Sequence, residues 1–200
     1  FAVVHSHLQL FSGLVLREAH KAGVPGRIAH ARNSHDGRGN APLRRAYRAL
    51  MRHWIRLHAT HLLAVSIAAA KGTFGKEPVA SGECRILTGV DFSPFRAAID
   101  RERVREELNI PRGALAVVHV GSFRSQKNHR YLVAIAARLL NRRPDALFFL
   151  IGDGALRAAI QETVAALGLQ RSFRFLGERD DVPRLLRGMD VFLFPSLYEG

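Results

Sequence analysis

The sequence predicts an α/β protein made of two doubly wound parallel-sheet domains in tandem, and three observations predict it. Short β-rich apolar runs alternate with helical runs of about ten to fifteen residues, the pattern of a sheet covered by helices. The alternation occurs twice, and a stretch marked by prolines and charge separates the two series. At 200 residues, 48% of them hydrophobic, the chain can form one large or two small domains with real cores.

The first series opens with Phe1–Ser6, an apolar run that reads as a buried strand. A helix over Ser12–Ala22 and a second strand over Arg27–Ala31 follow. The polar loop Arg32–Asn40 leads into a helix over Pro42–His58, where Pro42 suits the first turn because an N–H there has no intrahelical partner. His61–Ser66 reads as a strand, Ile67–Phe74 as a short helix and Cys84–Thr88 as a final strand. Pro78, Pro94 and Pro111, with the charge cluster Asp100–Glu107, mark a linker containing a short helix. In the second series Ala116–Val120 is a strand, His129–Leu140 a helix and Ala146–Ile151 a strand. A helix over Ala155–Leu167 is closed by Gly168 and followed by a strand over Ser172–Leu176, a short helix over Val182–Arg187 and a strand over Val191–Phe194. The expected organisation is a first domain over 1–90, a linker over 91–112 and a second domain over 113–200.

Composition removes several classes. The longest strongly apolar run, Leu62–Ala70, is too short to cross a bilayer. The single cysteine, Cys84, leaves no internal disulfide and fits a reducing, cytoplasmic compartment. The chain opens on Phe1 inside an apolar run rather than on a methionine, so a longer protein is expected and the lack of a signal peptide says little. The formal net charge is +13, concentrated between Gly37 and Lys76, where six Arg and two Lys stand without one Asp or Glu. Such a surface suits nucleic acid, anionic lipid or phosphorylated small molecules, and composition does not choose among them.

The helix Pro42–His58 carries much of that charge. Arg44, Arg48, Arg52 and Arg56 recur every four residues, with Leu43, Tyr47, Leu50, Trp54 and Leu57 expected on the opposite side. A solvated face on a core helix accounts for the stripe. So does contact with an anionic membrane, where each Arg near the surface contributes about 1 kcal/mol.

Ligands of open parallel sheets bind beyond the carboxyl ends of the strands. In the second series those ends run into Gly121, Gly152, Gly177 and Ser196, small residues that let a ligand approach the backbone ahead of a helix N-terminus. The loop Gly121–His129 carries Arg124 and Lys127, two cations placed for a diphosphate. It is not a Walker A loop, lacking the second glycine and the Lys-Ser/Thr pair. Taken alone it is better explained by a solvated loop. No D-x-D pair, no H-E-x-x-H, no Cys/His ligand spacing and no G-x-S-x-G elbow occurs. A metal site is therefore not expected, and a diphosphate leaving group would be met by side-chain cations and helix dipoles.

Four segments in order then carry a resemblance: Gly121–His129, Ile151-Gly-Asp-Gly-Ala-Leu-Arg157, Phe175-Leu-Gly-Glu-Arg-Asp-Asp-Val-Pro183 and Asp190-Val-Phe-Leu-Phe-Pro-Ser-Leu-Tyr-Glu-Gly200. Together they resemble the C-terminal domain of the family-four (group 1) retaining glycosyltransferases. Val3-Val-His-Ser-His7, Gly23-Val-Pro-Gly-Arg-Ile-Ala-His30 and His61-Leu-Leu-Ala-Val-Ser66 resemble strand regions of that family's acceptor domain. The resemblance implies the GT-B fold, two Rossmann-like domains in tandem, both incomplete here. It implies metal-independent transfer of a sugar, with retention, from a nucleotide-diphosphate donor to a saccharide or lipid-linked acceptor. The nucleotide sugar is a substrate, and no cofactor is expected.

By the same resemblance Lys127 contacts the donor diphosphate. Where the family has an arginine after Gly121 this chain has Ser122, and Arg124 is the candidate replacement. Gly177, Glu178 and Arg179 resemble the segment lining the base. Glu199 matches the first glutamate of E-x(7)-E, which contacts the transferred sugar; the second would fall beyond Gly200. His30 stands where many members place a histidine near the donor sugar, although a structurally satisfied histidine accounts for it nearly as well, and better for His5 and His7. The family's glycine-rich acceptor loop would precede Phe1, so the 200 residues alone are expected to be inactive. A lipid-linked acceptor favours the membrane reading of Pro42–His58, peripheral on the inner face. Two other readings stay in play: a sugar-nucleotide epimerase of the same fold, and a non-enzymatic basic module binding membrane or nucleic acid. No nucleic-acid motif is recognisable, so a nucleic-acid partner is not expected.

Overall fold

Each half of the chain folds around its own four-stranded parallel sheet. The computed structural model describes residues 1–200 except Arg38, Thr88, Val90, Ala97 and Gly200. It divides into two units, Phe1–Val90 with Tyr198–Gly200, and Asp91–Leu197. Of the sequence expectations, the ends of the Cys84–Thr88 strand and of the Pro195–Gly200 motif lie outside the described residues.

In the first unit β1 (Val3–Ser6), β2 (Gly26–Ala31), β3 (His61–Ala64) and β4 (Cys84–Ile86) pair in sequence order, all parallel. Helices α1 (Ser12–Lys21), α2 (Pro42–His58) and α3 (Ile67–Phe74) lie between them, followed by the short α4 (Glu77–Ala80) with Pro78 in its first turn. Their apolar stripes meet one face of the sheet: Leu16, Ile55 and Phe74 pack on Ala29, Ala31, Ala64 and Cys84. The ranges of α2 and α3 are those the periodicity predicts.

The orientation of α2 differs from expectation. Its buried residues are Met51 and Ile55, while Leu43, Leu50 and Leu57 are 84%, 45% and 60% exposed. The arginines turn partly inward instead. Arg44 and Arg48 each reach Asp36 at 2.8 Å, Arg52 donates to the carbonyls of Gly72 (2.8 Å) and Thr73 (3.0 Å), and Arg56 meets Glu77 at 3.0 Å. Asp36 stands one residue before the acid-free stretch, and its carboxylate draws two of the stripe's charges to itself. The stripe is thus not an uncommitted cationic surface.

In the second unit α5 (Ser93–Arg96) and α6 (Arg101–Glu107) precede β5 (Ala116–Val120), α7 (His129–Leu140), β6 (Leu147–Ile151), α8 (Arg157–Ala166), β7 (Phe173–Gly177), α9 (Val182–Arg187) and β8 (Val191–Phe192). The strands lie in the order β7-β6-β5-β8. Two clusters cover its two faces. Val117, Phe148 and Leu150 point into one, with Leu132 and Ile160; Ala116, Val118, Phe149 and Ile151 point into the other, with Val104 and Leu185. The segment expected as a linker is part of this second cluster. Val104 on α6 is buried, and Arg105 donates to the carbonyls of Gly188 (3.0 Å) and Ala114 (2.7 Å). Asp190 accepts from the Ala116 N–H at 2.7 Å and pairs with Arg105 and Arg101. Its prolines and charge cluster mark 91–112 as a linker containing a short helix, but α6 buries one apolar side and caps its N-terminus with Asp100, which accepts from the N–H groups of Glu102 and Arg103.

Candidate active site

The second unit steps from β5 outward to β6 and β7, then returns to the far side of β5 with β8. The reversal falls between β5 and β8, and the crevice beyond the carboxyl ends of strands at such a point is where doubly wound sheets receive ligands. At the neighbouring strand ends the backbone is stitched across: Gly121 N–H donates to Ile151 O (2.9 Å), and Gly152 N–H to Gly177 O (2.7 Å). Gly152 has φ +128°, and a Cβ there would overlap the Gly121 carbonyl. Glycine at 152 is thus required by the strand-end packing itself, a reason the reading of the four small residues as one open edge does not include.

Gly121 has a different use. Ser125–Lys127 forms one turn of 3-10 helix, and Asn128, in the left-handed region at φ 54°, ends it and starts α7. Asn128 Nδ2 donates to the Pro195 carbonyl (3.2 Å) and Leu197 N–H to the Gln126 carbonyl (2.9 Å), so the turn is tied to the chain leaving β8. This holds Lys127 at the crevice. Its stem crosses Gly121, where a Cβ would lie 3.2 Å from Lys127 Cδ and 3.1 Å from His119 Nε2. Lys127 Nζ lies 5.2 Å from the ring centroid of Phe194.

Behind the lysine two buried histidines pack edge to face, His119 and His129, with centroids 4.8 Å apart and Phe123 stacked on His129 at 4.1 Å. Burial, then the charges of His119 and Lys127, lower His129 to about 4. It is neutral at pH 7 and adds no charge beside Lys127. Ser122 is half-buried on the same loop, and Arg124 is exposed.

Of the segment expected to line the base, Glu178 and Arg179 are exposed beyond Gly177. Arg179 grips Asp181 with two nitrogens (2.8 and 2.9 Å), and Arg184 joins Asp181 to Glu107. Hydrogen bonds from Arg179 and Arg184 hold the Asp181 carboxyl far below the usual range. Arg179 thus has a carboxylate partner of its own.

Glu199 and His30 belong to the first unit, in different surroundings. The Glu199 carbonyl accepts from Ser34 N–H (3.0 Å) and Oγ (2.7 Å), and the Tyr198 ring lies 5.7 Å from that of His35. The same loop borders a cavity of about 490 Å³ whose wall includes Gln9, Arg45, Arg48 and Arg52. His30 on β2 stands instead with His5 on β1 and His7 just beyond it. His5 Nε2 and His30 Nδ1 are 3.2 Å apart, and the His7 ring lies 4.2 and 4.8 Å from the other two. Burial, then His7, His5 and Arg32, lower His30; burial, His5 and Arg32 lower His7. A search for ligand spacing within short windows misses this trio, because the third histidine arrives through strand pairing. His-x-His at a strand end, with a histidine at the end of the next strand, is the signal that would have found it.

A family description, "Glycosyl transferases group 1", matches residues 100–200. The EpsF protein of Bacillus subtilis (strain 168) is 33% identical over all of this chain, which spans 53% of EpsF. The UDP-Gal:alpha-D-GlcNAc-diphosphoundecaprenol alpha-1,3-galactosyltransferase of Escherichia coli is 34% identical over 58% of this chain and 31% of its own length. Among solved structures, Anabaena Alr3699/HepE in complex with UDP superposes with a TM-score of 0.77 at 18% identity, over 98% of this chain and 53% of that one. The chain thus spans about half the length, or less, of these relatives.

Proposed function

The chain belongs to the group 1 glycosyltransferases, and from that premise we propose that it forms part of a retaining, metal-independent enzyme. The enzyme moves a hexosyl group from a nucleoside-diphosphate sugar to a saccharide or lipid-linked acceptor. The observation that carries the reading is Lys127, laid across Gly121 at the sheet's reversal, two residues before the start of α7. The Anabaena protein was crystallised with UDP and with UDP-glucose, and the name of the Escherichia coli relative gives a UDP-sugar donor and a diphosphoundecaprenol-linked acceptor. Both support this choice of substrates.

In this reading the bond between the sugar C1 and the diphosphate oxygen breaks, and its electron pair leaves with the nucleoside diphosphate. Lys127 and the N-terminal amides of α7 meet the charge that develops there. The acceptor hydroxyl attacks from the face of departure and gives its proton to the leaving phosphate oxygen. Glu199 is assigned to the hydroxyls of the transferred sugar, as is His30 to its neighbourhood. Lys127→Ala in the full-length enzyme weakens nucleoside-diphosphate binding by about 1.5–3 kcal/mol, the scale of a charge-assisted hydrogen bond. Unchanged affinity by calorimetry refutes the assignment, and strict dependence on an added divalent cation refutes metal independence.

The lipid side of the reading moves from the arginines of α2 to its leucines. Leu43, Leu50 and Leu57 are exposed beside half-buried Tyr47 and Trp54, with Arg45 and Arg56 exposed on the same helix. That face suits the anionic, cytoplasmic surface of a membrane, apolar residues entering the headgroup boundary while arginines remain among phosphates. No described helix is long and apolar enough to cross a membrane.

A further inference from the structure

The open face of the first unit's sheet collects three imidazoles at one corner. His5 lies on β1, His30 on β2, and His7 follows β1. One ligand nitrogen from each lies within 4.8 Å of the other two. The tightest pair, His5 Nε2 and His30 Nδ1, is 3.2 Å apart. Zinc–nitrogen bonds of 2.0–2.1 Å at a tetrahedral angle place two ligand nitrogens about 3.3–3.4 Å apart, so this pair already stands at the spacing a metal requires. His7 is exposed and borne by a residue beyond the strand, so a rotamer change brings it in without moving the sheet.

We propose that His5, His7 and His30 form a binding site for a borderline-soft divalent cation of the zinc class, three imidazoles from two adjacent strands with a fourth position left to solvent. The ligand chemistry fixes the class. Three neutral nitrogen donors without a carboxylate favour zinc, copper, nickel or cobalt over magnesium and calcium, which prefer oxygen. The two strands give the site rigidity, since the β1–β2 register that pairs His5 with Ile28 also sets His5 beside His30. Arg32 presents a like charge to His7 and His30, which sets the affinity below that of an isolated three-imidazole site. The cation is not offered as a catalytic metal for the diphosphate chemistry assigned to Lys127. Because His30 is also assigned to the donor sugar's surroundings, a bound cation would take it from that role, and this last point rests on the proposed function.

The test uses tag-free protein, so that no added histidines compete. Cobalt(II) titrated into the chain gives d–d absorption bands that saturate at one equivalent, and zinc displaces the cobalt. Magnesium at the same concentration gives no competition. His7→Ala and His30→Ala each weaken cobalt binding by at least about tenfold, while a paired His20→Ala and His58→Ala variant, removing another close histidine couple, leaves it unchanged. Zinc raises the melting temperature of the wild type and not of the His30 variant. No saturable band, or equal binding in the triad variants, overturns the site. If the site stands but zinc leaves sugar transfer by the full-length enzyme unaffected, the role of His30 falls and the metal site does not.

Discussion

The two sheets have the same number of strands and the same parallel sense, yet they treat their faces differently. In the second unit the central strands are buried on both sides, so β6 reads as an unbroken apolar run, Leu147–Ile151, and β5, Ala116–Val120, is interrupted by the buried His119 alone. In the first unit the helices gather on one side. The inward residues are small, Ala29, Ala31 and Ala64, while Val3, His5, Ile28, His30 and Leu63 on the other face are exposed or half-buried. A face covered by helices is largely apolar and admits a polar group such as His119 where a partner meets it, here the Leu193 carbonyl at 2.9 Å, whereas a face left open tolerates a row of titratable groups. That is why the histidines of the first unit cluster on a sheet face, and those of the second sit in a packed pocket behind the lysine.

Truncating the two faces should give unequal costs. Phe149→Ala removes a ring that is 0% exposed, and the expected loss is about 3–5 kcal/mol of unfolding free energy. Urea unfolding of the second unit reads it, and a loss below about 1 kcal/mol would mean the two-sided core is not closed there.

The histidines sharpen the same contrast through pH. His129 is lowered to about 4 in the folded state from an ordinary value of 6.5, so the folded unit binds the proton less readily than the unfolded chain. Its contribution is fully present above pH 6.5 and is lost as pH falls towards 4, amounting to about 3 kcal/mol at the low end. Melting temperature of the second unit should fall across that window, and His129→Leu should flatten the slope. An unchanged slope in the variant would assign the acid sensitivity elsewhere.

A carboxylate test compares chemistry with stability. Glu199→Gln in the full-length enzyme is expected to lower turnover at least tenfold, about 1.4 kcal/mol, with nucleoside-diphosphate affinity and melting temperature nearly unchanged. Equal loss of diphosphate binding would place Glu199 on the wrong part of the donor. Smallest of all should be Leu63→Ala on the open face, below about 1 kcal/mol because the side chain is only partly buried. A core-sized loss would show that this face is covered in solution.

Much of this was legible beforehand. Helices α2, α3, α7 and α9 and strand β5 have the ranges that periodicity predicts, and Lys127 stands out as a cation between a strand and a helix. The rest depended on information that local pattern does not hold. The orientation of α2 turned on Asp36 and on the carbonyls of Gly72 and Thr73, partners remote from the helix itself. Two arcs of α2 are amphipathic enough to face inward, and the partners decided between them. The packing of α6 was hidden by its charges, since Val104 is its main apolar anchor and Arg105 is buried through hydrogen bonds. The histidine trio needed the register of β1 on β2.

Gly121 has a consequence for genetics. It offers no side chain to a substrate, yet a methyl group there would press on the Lys127 stem at 3.2 and 3.3 Å and on His119 at 3.1 Å. Alanine at 121 would leave the sheet folded and push the lysine a few tenths of an ångström off its line. A screen for loss of transfer is therefore expected to score position 121 beside position 127, with a lysine introduced at a neighbouring position of the turn as the suppressor. The inheritance of function here runs through an absent atom.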